Sequence, residues 1–173
     1  MVGRGRSEPL MESLESFLAK VARRGSWFGG GSAAALTAAL AAALLEKLIV
    51  RQDIARQLRK SRRECTRLID QDAKTFARVV EVMRTGQRQE FTRALKQAID
   101  VPCRVYDRAC AIRSIGRAAQ RLVKPQLRSD LRCAMALADA AGVSARELID
   151  TNLTWLKDPV YARAIRRRLQ LGA

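Results

Sequence analysis

The sequence predicts an all-α, single-domain bundle of about six helices. Apolar residues recur at helical spacing through almost the whole chain, no stretch alternates apolar and polar as a half-buried strand would, and glycine and proline fall only between helical segments or singly within one. At 173 residues the chain can bury one sizeable core, and no internal repeat or linker divides it. Residues 1–6 read as a disordered basic tail and residues 7–173 as the helical domain.

The first helix is expected to be capped by Ser7, with Pro9 in its first turn. Leu10, Leu14, Phe17, Leu18 and Val21 form its apolar stripe, and it ends near Arg23-Arg24-Gly25. "WFGGGSAAAL" (Trp27 to Leu36) then sets three glycines before a serine and an alanine-rich segment. A helix start exposes about four unpaired N–H groups and the positive end of its dipole. A glycine run there lets a ligand's oxygens approach the backbone, with Ser32 as N-cap. The alternative is a hinge between two helices. No glycine or proline follows until Thr85-Gly86-Gln87. One straight helix over that length would reach roughly 80 Å at 1.5 Å per residue, so a break is expected near Val50 to Asp53.

The alanine-rich piece should pack closely against other helices, within the subunit or across a dimer. The following piece presents Ile54, Leu58, Cys65, Leu68, Ile69 and Phe76 among many arginines. The next helix runs from about Phe91 to Val123, with Pro102 inside it as a kink. Lys124-Pro125 stops it, and Ser129-Asp130 starts a helix reaching about Leu153, with a cap and then an acid at the dipole. Asp158-Pro159 opens the last.

Composition narrows the chemistry. The chain has no histidine, which removes Ser/His/Asp and Cys/His nucleophilic sites and the commonest zinc ligand. A general acid or base must therefore be a carboxylate, a lysine, a tyrosine or a thiol. Cys65, Cys103, Cys110 and Cys133 form no C-x-x-C pair and read as buried free thiols in a reducing compartment. Cys103 and Cys110, seven apart, share a helix face. No metal site is expected. Lys and Arg number 33 against 17 Asp and Glu, a formal charge of +16 that implies an acidic partner. Aromatic residues are only 5%, too few for a base-stacking surface. The basic runs "RQLRKSRR" (Arg56 to Arg63) and "RAIRRRL" (Arg163 to Leu169) read as solvated helix faces, with nucleic-acid binding through them the less favoured alternative. The apolar run Ala33 to Leu45 is too short for a bilayer and no secretory signal is visible, so no membrane role and a cytoplasmic location are expected.

In "LIDQDAKTF", Asp72 sits at the edge of the stripe formed by Leu68, Ile69, Ala73 and Phe76, whereas Asp70 points elsewhere. Partial desolvation should raise the pKa of Asp72 towards acid/base use. The plainer reading is a surface carboxylate paired with an arginine.

"FGGGSAAALTAALAAALLEKL", "LIDQDAKTF", "ALKQAIDVPCRV" and "SDLRCAMALADAAG…NLTWLKD" follow one another in the order and approximate spacing of one family. From about Glu12 to Leu169 the chain resembles the cyclodeaminase domain of formimidoyltransferase-cyclodeaminase and the related stand-alone methenyltetrahydrofolate cyclohydrolases. The resemblance implies a homodimeric helical bundle acting on one-carbon tetrahydrofolates. Its members hydrolyse methenyltetrahydrofolate to the formyl form or cyclise formiminotetrahydrofolate with loss of ammonia, using no cofactor beyond the folate substrate. It implies Asp72 as the catalytic acid/base. Gly29, Gly30, Gly31, Ser32, Lys124, Ser129, Asp130 and Asn152 are implied as substrate-binding. The excess of arginine fits a substrate bearing carboxylates and a polyglutamate tail. This sequence departs from the family pattern at Phe28 (usually proline), at Val123-Lys124 (usually Gly-Asn) and at Leu148 (usually asparagine). The lysine- and tyrosine-containing segment after the alanine-rich helix is shortened by roughly a helical turn or more.

Overall fold

The computed structural model describes residues 10–170, and within them the chain is six α-helices and one 3-10 turn with no strand. The helices are α1 (Leu10–Ala22), α2 (Gly30–Leu48), α3 (Gln52–Thr85), α4 (Arg88–Ala119), α5 (Arg128–Leu156) and α6 (Pro159–Arg168). The 3-10 turn spans Pro125–Leu127. The expected tail, the Ser7 cap and Pro9 lie outside the described residues.

Alanine explains the arrangement. α2 is the central helix, packing against α3, α4 and α5 together. Ala34, Ala35, Ala38, Ala39, Ala41 and Ala42 are all buried, and their short side chains admit three neighbours at close range. Facing alanines continue the pattern on α5, where Ala134, Ala138, Ala141 and Ala145 are buried. Gly116 of α4 and Gly142 of α5 lie where these two helices touch, the first under Met135 and the second against Ala109. Large side chains fill the remaining space: Leu45, Leu58, Leu68, Leu95, Ile99, Ile112 and Ile149 are fully buried. Ala162, Ile165 and Leu169 close one end of the core from α6 and the turn after it. With 19 residues, α2 is long and apolar enough to cross a membrane, longer than the run expected from sequence, yet over half of it is buried inside the bundle.

Several expected boundaries move. α2 begins at Gly30 rather than after Ser32, so Ser32 is the third residue of the helix and Gly29 is the N-cap. Gly29, Gly30 and Gly31 all lack positive φ, which only Gly25 and Gly86 show among the described glycines. The hinge reading fails for the same reason: two of the three glycines are helical. Ser129 is likewise not a cap, because the 3-10 turn runs directly into α5 and the helix starts one residue earlier, at Arg128. α4 ends at Ala119, short of Val123, and α5 extends to Leu156. The break at Ile49–Arg51, the stop at Gly86 and the Asp158 cap fall where expected; Asp158 Oδ1 accepts from the Tyr161 N–H at 2.9 Å.

Three side-chain expectations are corrected. Phe76 is 38% exposed and meets the Trp27 ring edge-on instead of entering the core. Leu14 and Leu18 stay exposed because no neighbouring helix covers that side of α1. Cys65 and Cys103 are buried, but Cys110 and Cys133 are exposed. Cys110 opens into a groove of about 350 Å3 between α4 and α5, left open where Gly142 has no side chain.

Candidate active site

Ser32 and Asp72 meet where α3 crosses the start of α2. The Ser32 hydroxyl lies 3.0 Å from Asp72 Oδ2 and 3.0 Å from the Ile69 carbonyl oxygen, and donates its proton between them. The Ser32 backbone N–H lies on the same side, close enough to the Asp72 carboxylate to favour its ionised form. That N–H belongs to the first turn of α2 and has no partner within its own helix. Asp72 therefore sits at the start of α2 from another helix, beside the positive end of the dipole.

This contact explains the third glycine. A Cβ added to Gly31 would collide with the Asp72 carboxylate, whereas one on Gly29 meets nothing within 4 Å. At Gly30 it would make an ordinary contact with Leu148, 3.5 Å away. The close approach that the glycine run permits is thus made by a side chain of the protein itself. No arginine pairs with Asp72 among the described residues, contrary to the plainer sequence reading. Burial pushes its pKa up from the ordinary carboxylate value, and the Ser32 hydroxyl and N–H offset that only in part. The site holds a desolvated carboxyl group able to carry a proton at higher pH than a surface aspartate.

Lys124, Ser129 and Asp130, also singled out from sequence, do not gather around it. Asp130 accepts from Lys47 Nζ at 2.7 Å, at the far end of α2. The fifteen residues from Ser32 to Lys47 make that separation about 22 Å at 1.5 Å per residue. α5 runs antiparallel to α2, so Ser129 and Asp130 lie at one end of the bundle and Leu148 at the other. Lys124 is exposed just before the 3-10 turn, at the Asp130 end. Beside it opens a cavity of about 550 Å3, walled by Leu48, Ile49, Val50, Ile54, Ile115 and Leu122. It lies at the shortened connection between α2 and α3.

Asn152 has a different employment. Pro102 has no N–H, so the Ala98 carbonyl one turn earlier in α4 loses its helical partner. Asn152 Nδ2 donates to that carbonyl at 3.4 Å. The sequence contains both residues, but only the packing of α5 on α4 brings them together.

The molecule is an all-helical bundle whose central alanine-rich helix starts against a half-buried carboxylate of its neighbour. Residues 13–171 match the family described as formiminotransferase-cyclodeaminase. The chain belongs to that family. Its fold is similar to the crystal structure of formiminotetrahydrofolate cyclodeaminase from Thermotoga maritima, with a TM-score of 0.84 at 22% identity over 91% of this chain and 86% of that one. No curated protein matches the chain.

Proposed function

We propose that the protein acts on a one-carbon tetrahydrofolate, either hydrolysing methenyltetrahydrofolate to the formyl form or cyclising formiminotetrahydrofolate with release of ammonia. The observation that carries this reading is the half-buried Asp72 carboxyl, held by Ser32 and raised in pKa, in a chain of the formiminotransferase-cyclodeaminase family. Both reactions pass through an amidine-like carbon that gains and loses a proton at nitrogen or oxygen. One positioned carboxyl serves that purpose. Ser32 orients Asp72, and movement of its hydroxyl proton towards Ile69 frees Oδ2 to accept from substrate.

The homodimer belongs to the same proposal. Among the described residues one face of α2 is left largely uncovered: Ala33, Leu36, Leu40, Ala43, Leu44 and Lys47 fall one, three or four residues apart and remain partly exposed. Leu40, near the middle of the helix, is 51% exposed. Two such stripes pack antiparallel about a two-fold axis at Leu40. That pairing carries the partner's Lys47 and the partner's Asp130 to the end of α2 where Ser32 and Asp72 lie, so residues 22 Å apart in one subunit would share one site.

Absorbance assays of methenyltetrahydrofolate consumption at neutral pH, with ammonia release from formiminotetrahydrofolate run in parallel, separate the two reactions. Asp72→Asn should lower kcat by roughly 10²- to 10⁴-fold. A second reading is favoured by Leu148, which covers Gly30 with an apolar side chain where the family pattern has asparagine. On that reading the chain keeps the bundle without folate chemistry, and neither substrate is consumed.

A further inference from the structure

The sequence run RQLRKSRR reads as a solvated helix face, but its position in the fold gives it a more definite character. Arg56, Lys60, Arg63 and Arg67 fall four, three and four residues apart on the outer face of α3, and all four are exposed. None forms an ion pair among the described residues. The nearby acids are already engaged. Glu46 holds Arg59 and Arg62 at 2.8 and 3.0 Å, Glu64 holds Arg104 and Arg108 at 3.2 and 3.4 Å, and Asp53 holds Arg51 at 2.8 Å. Asp70, one turn beyond Arg67, is the remaining exposed acid on this face. The four free cations form a rigid row about 16 Å long, at 1.5 Å per residue.

We propose that this face of α3 is a docking surface for the phosphate backbone of duplex nucleic acid. A row of that length lies along a stretch of duplex axis that carries about five phosphates per strand, at 3.4 Å of axis each. Flanking pairs add Arg59, Arg62, Arg104 and Arg108, whose charge is shared with only two glutamates. Two absences among the described residues select the partner. No large apolar side chain is exposed between Val50 and Phe76, so the face has nothing to insert into a bilayer. It also carries no aromatic ring on which an unpaired base could stack. What remains is charge on a straight helix, which suits a backbone and reads no sequence. The row faces away from the α2–α4–α5 contacts and is independent of the folate reading.

The test uses fluorescence anisotropy of the full chain with a labelled mixed-sequence DNA duplex of about 20 base pairs, titrated across salt concentrations. Four phosphate contacts give a slope of log K against log salt of roughly −3.6, or roughly 50-fold weaker binding at 150 mM than at 50 mM salt. The variant R56Q/K60Q/R63Q/R67Q should lose most of that slope. The control R93Q/R132Q/R163Q/R167Q removes four other exposed, unpaired arginines and the same net charge, and should bind like the wild type. Glutamine is a good helix former and all eight positions are exposed, so circular dichroism should be unchanged in both. Equal weakening in the two variants would mean diffuse charge alone and would overturn the proposal. So would absence of binding at 50 mM salt, or tighter binding to phosphatidylserine vesicles than to the duplex.

Discussion

At Asp72 two demands meet in one carboxyl group: it holds the Ser32 hydroxyl at the start of α2 and it is partly desolvated. The raised pKa fixes the sign of its pH dependence. Because the folded protein holds this proton more tightly than the unfolded chain does, the contribution of Asp72 to stability is greatest at low pH. It declines as pH rises from about 4 through the raised folded-state value. Urea unfolding of wild type and Asp72→Asn between pH 3 and pH 8 isolates this effect from the other acids. Wild-type stability relative to the variant should fall across that range, and a flat or rising difference would contradict the assignment. Gly31→Ala offers an independent check. Alanine gains roughly 1 kcal/mol over glycine in an ordinary helix interior. Here its Cβ would displace the Asp72 carboxylate and break its bond from the Ser32 hydroxyl, a cost of about 1–3 kcal/mol. Net destabilisation is expected at Gly31, whereas Gly29→Ala, with open space around it, should be close to neutral.

At the level of elements, α4 carries a proline in its interior, and α5 compensates with Asn152. The two residues should therefore couple. Asn152→Ala alone orphans the Ala98 carbonyl and should cost about 1–2 kcal/mol. Pro102→Ala restores the N–H that this carbonyl lacks, so removing Asn152 in that background should cost less. A double-mutant cycle read by thermal or urea unfolding measures the coupling, and strict additivity would show that Asn152 does not serve that carbonyl. Sequence periodicity located both helices. The pairing of Asn152 with Ala98 was not visible in it, because the residues are 54 positions apart and neither has a distinctive neighbourhood.

For the whole molecule, the unpaired stripe of α2 leads to a test of assembly. Sedimentation equilibrium of the wild type at micromolar concentration should give twice the chain mass of 19.2 kDa. In a monomer Leu40→Glu would alter an exposed side chain and change stability by no more than about 0.5 kcal/mol. In the proposed dimer it buries two carboxylates across the two-fold axis and should yield monomers with unchanged helical content. If folate turnover depends on both ends of α2, that variant should lose it as well. A wild type that sediments as a monomer would remove the composite site.

The sequence by itself determined the helical class, the order of the six helices and the break after α2, and it set Asp72 beside an apolar stripe without choosing between a desolvated carboxyl and a surface ion pair. Those properties follow from local periodicity, from glycine and proline, and from the placing of one acid beside an apolar stripe, all of which act over a few residues. Tertiary structure decided where the glycine run points and what fills it, because the space beside Gly31 is taken by Asp72, forty residues from Ser32 in sequence. It also divided Lys124, Ser129 and Asp130 from Ser32 and Asp72, since an antiparallel neighbour sets the two motifs at opposite ends of a rigid helix. The α3 cations were equally dependent on it: spacing placed them on one face, but only packing showed that Glu46 and Glu64 were already held by other arginines. Ion pairing depends on which helices lie side by side, and that is settled by the burial of alanine and leucine elsewhere in the core.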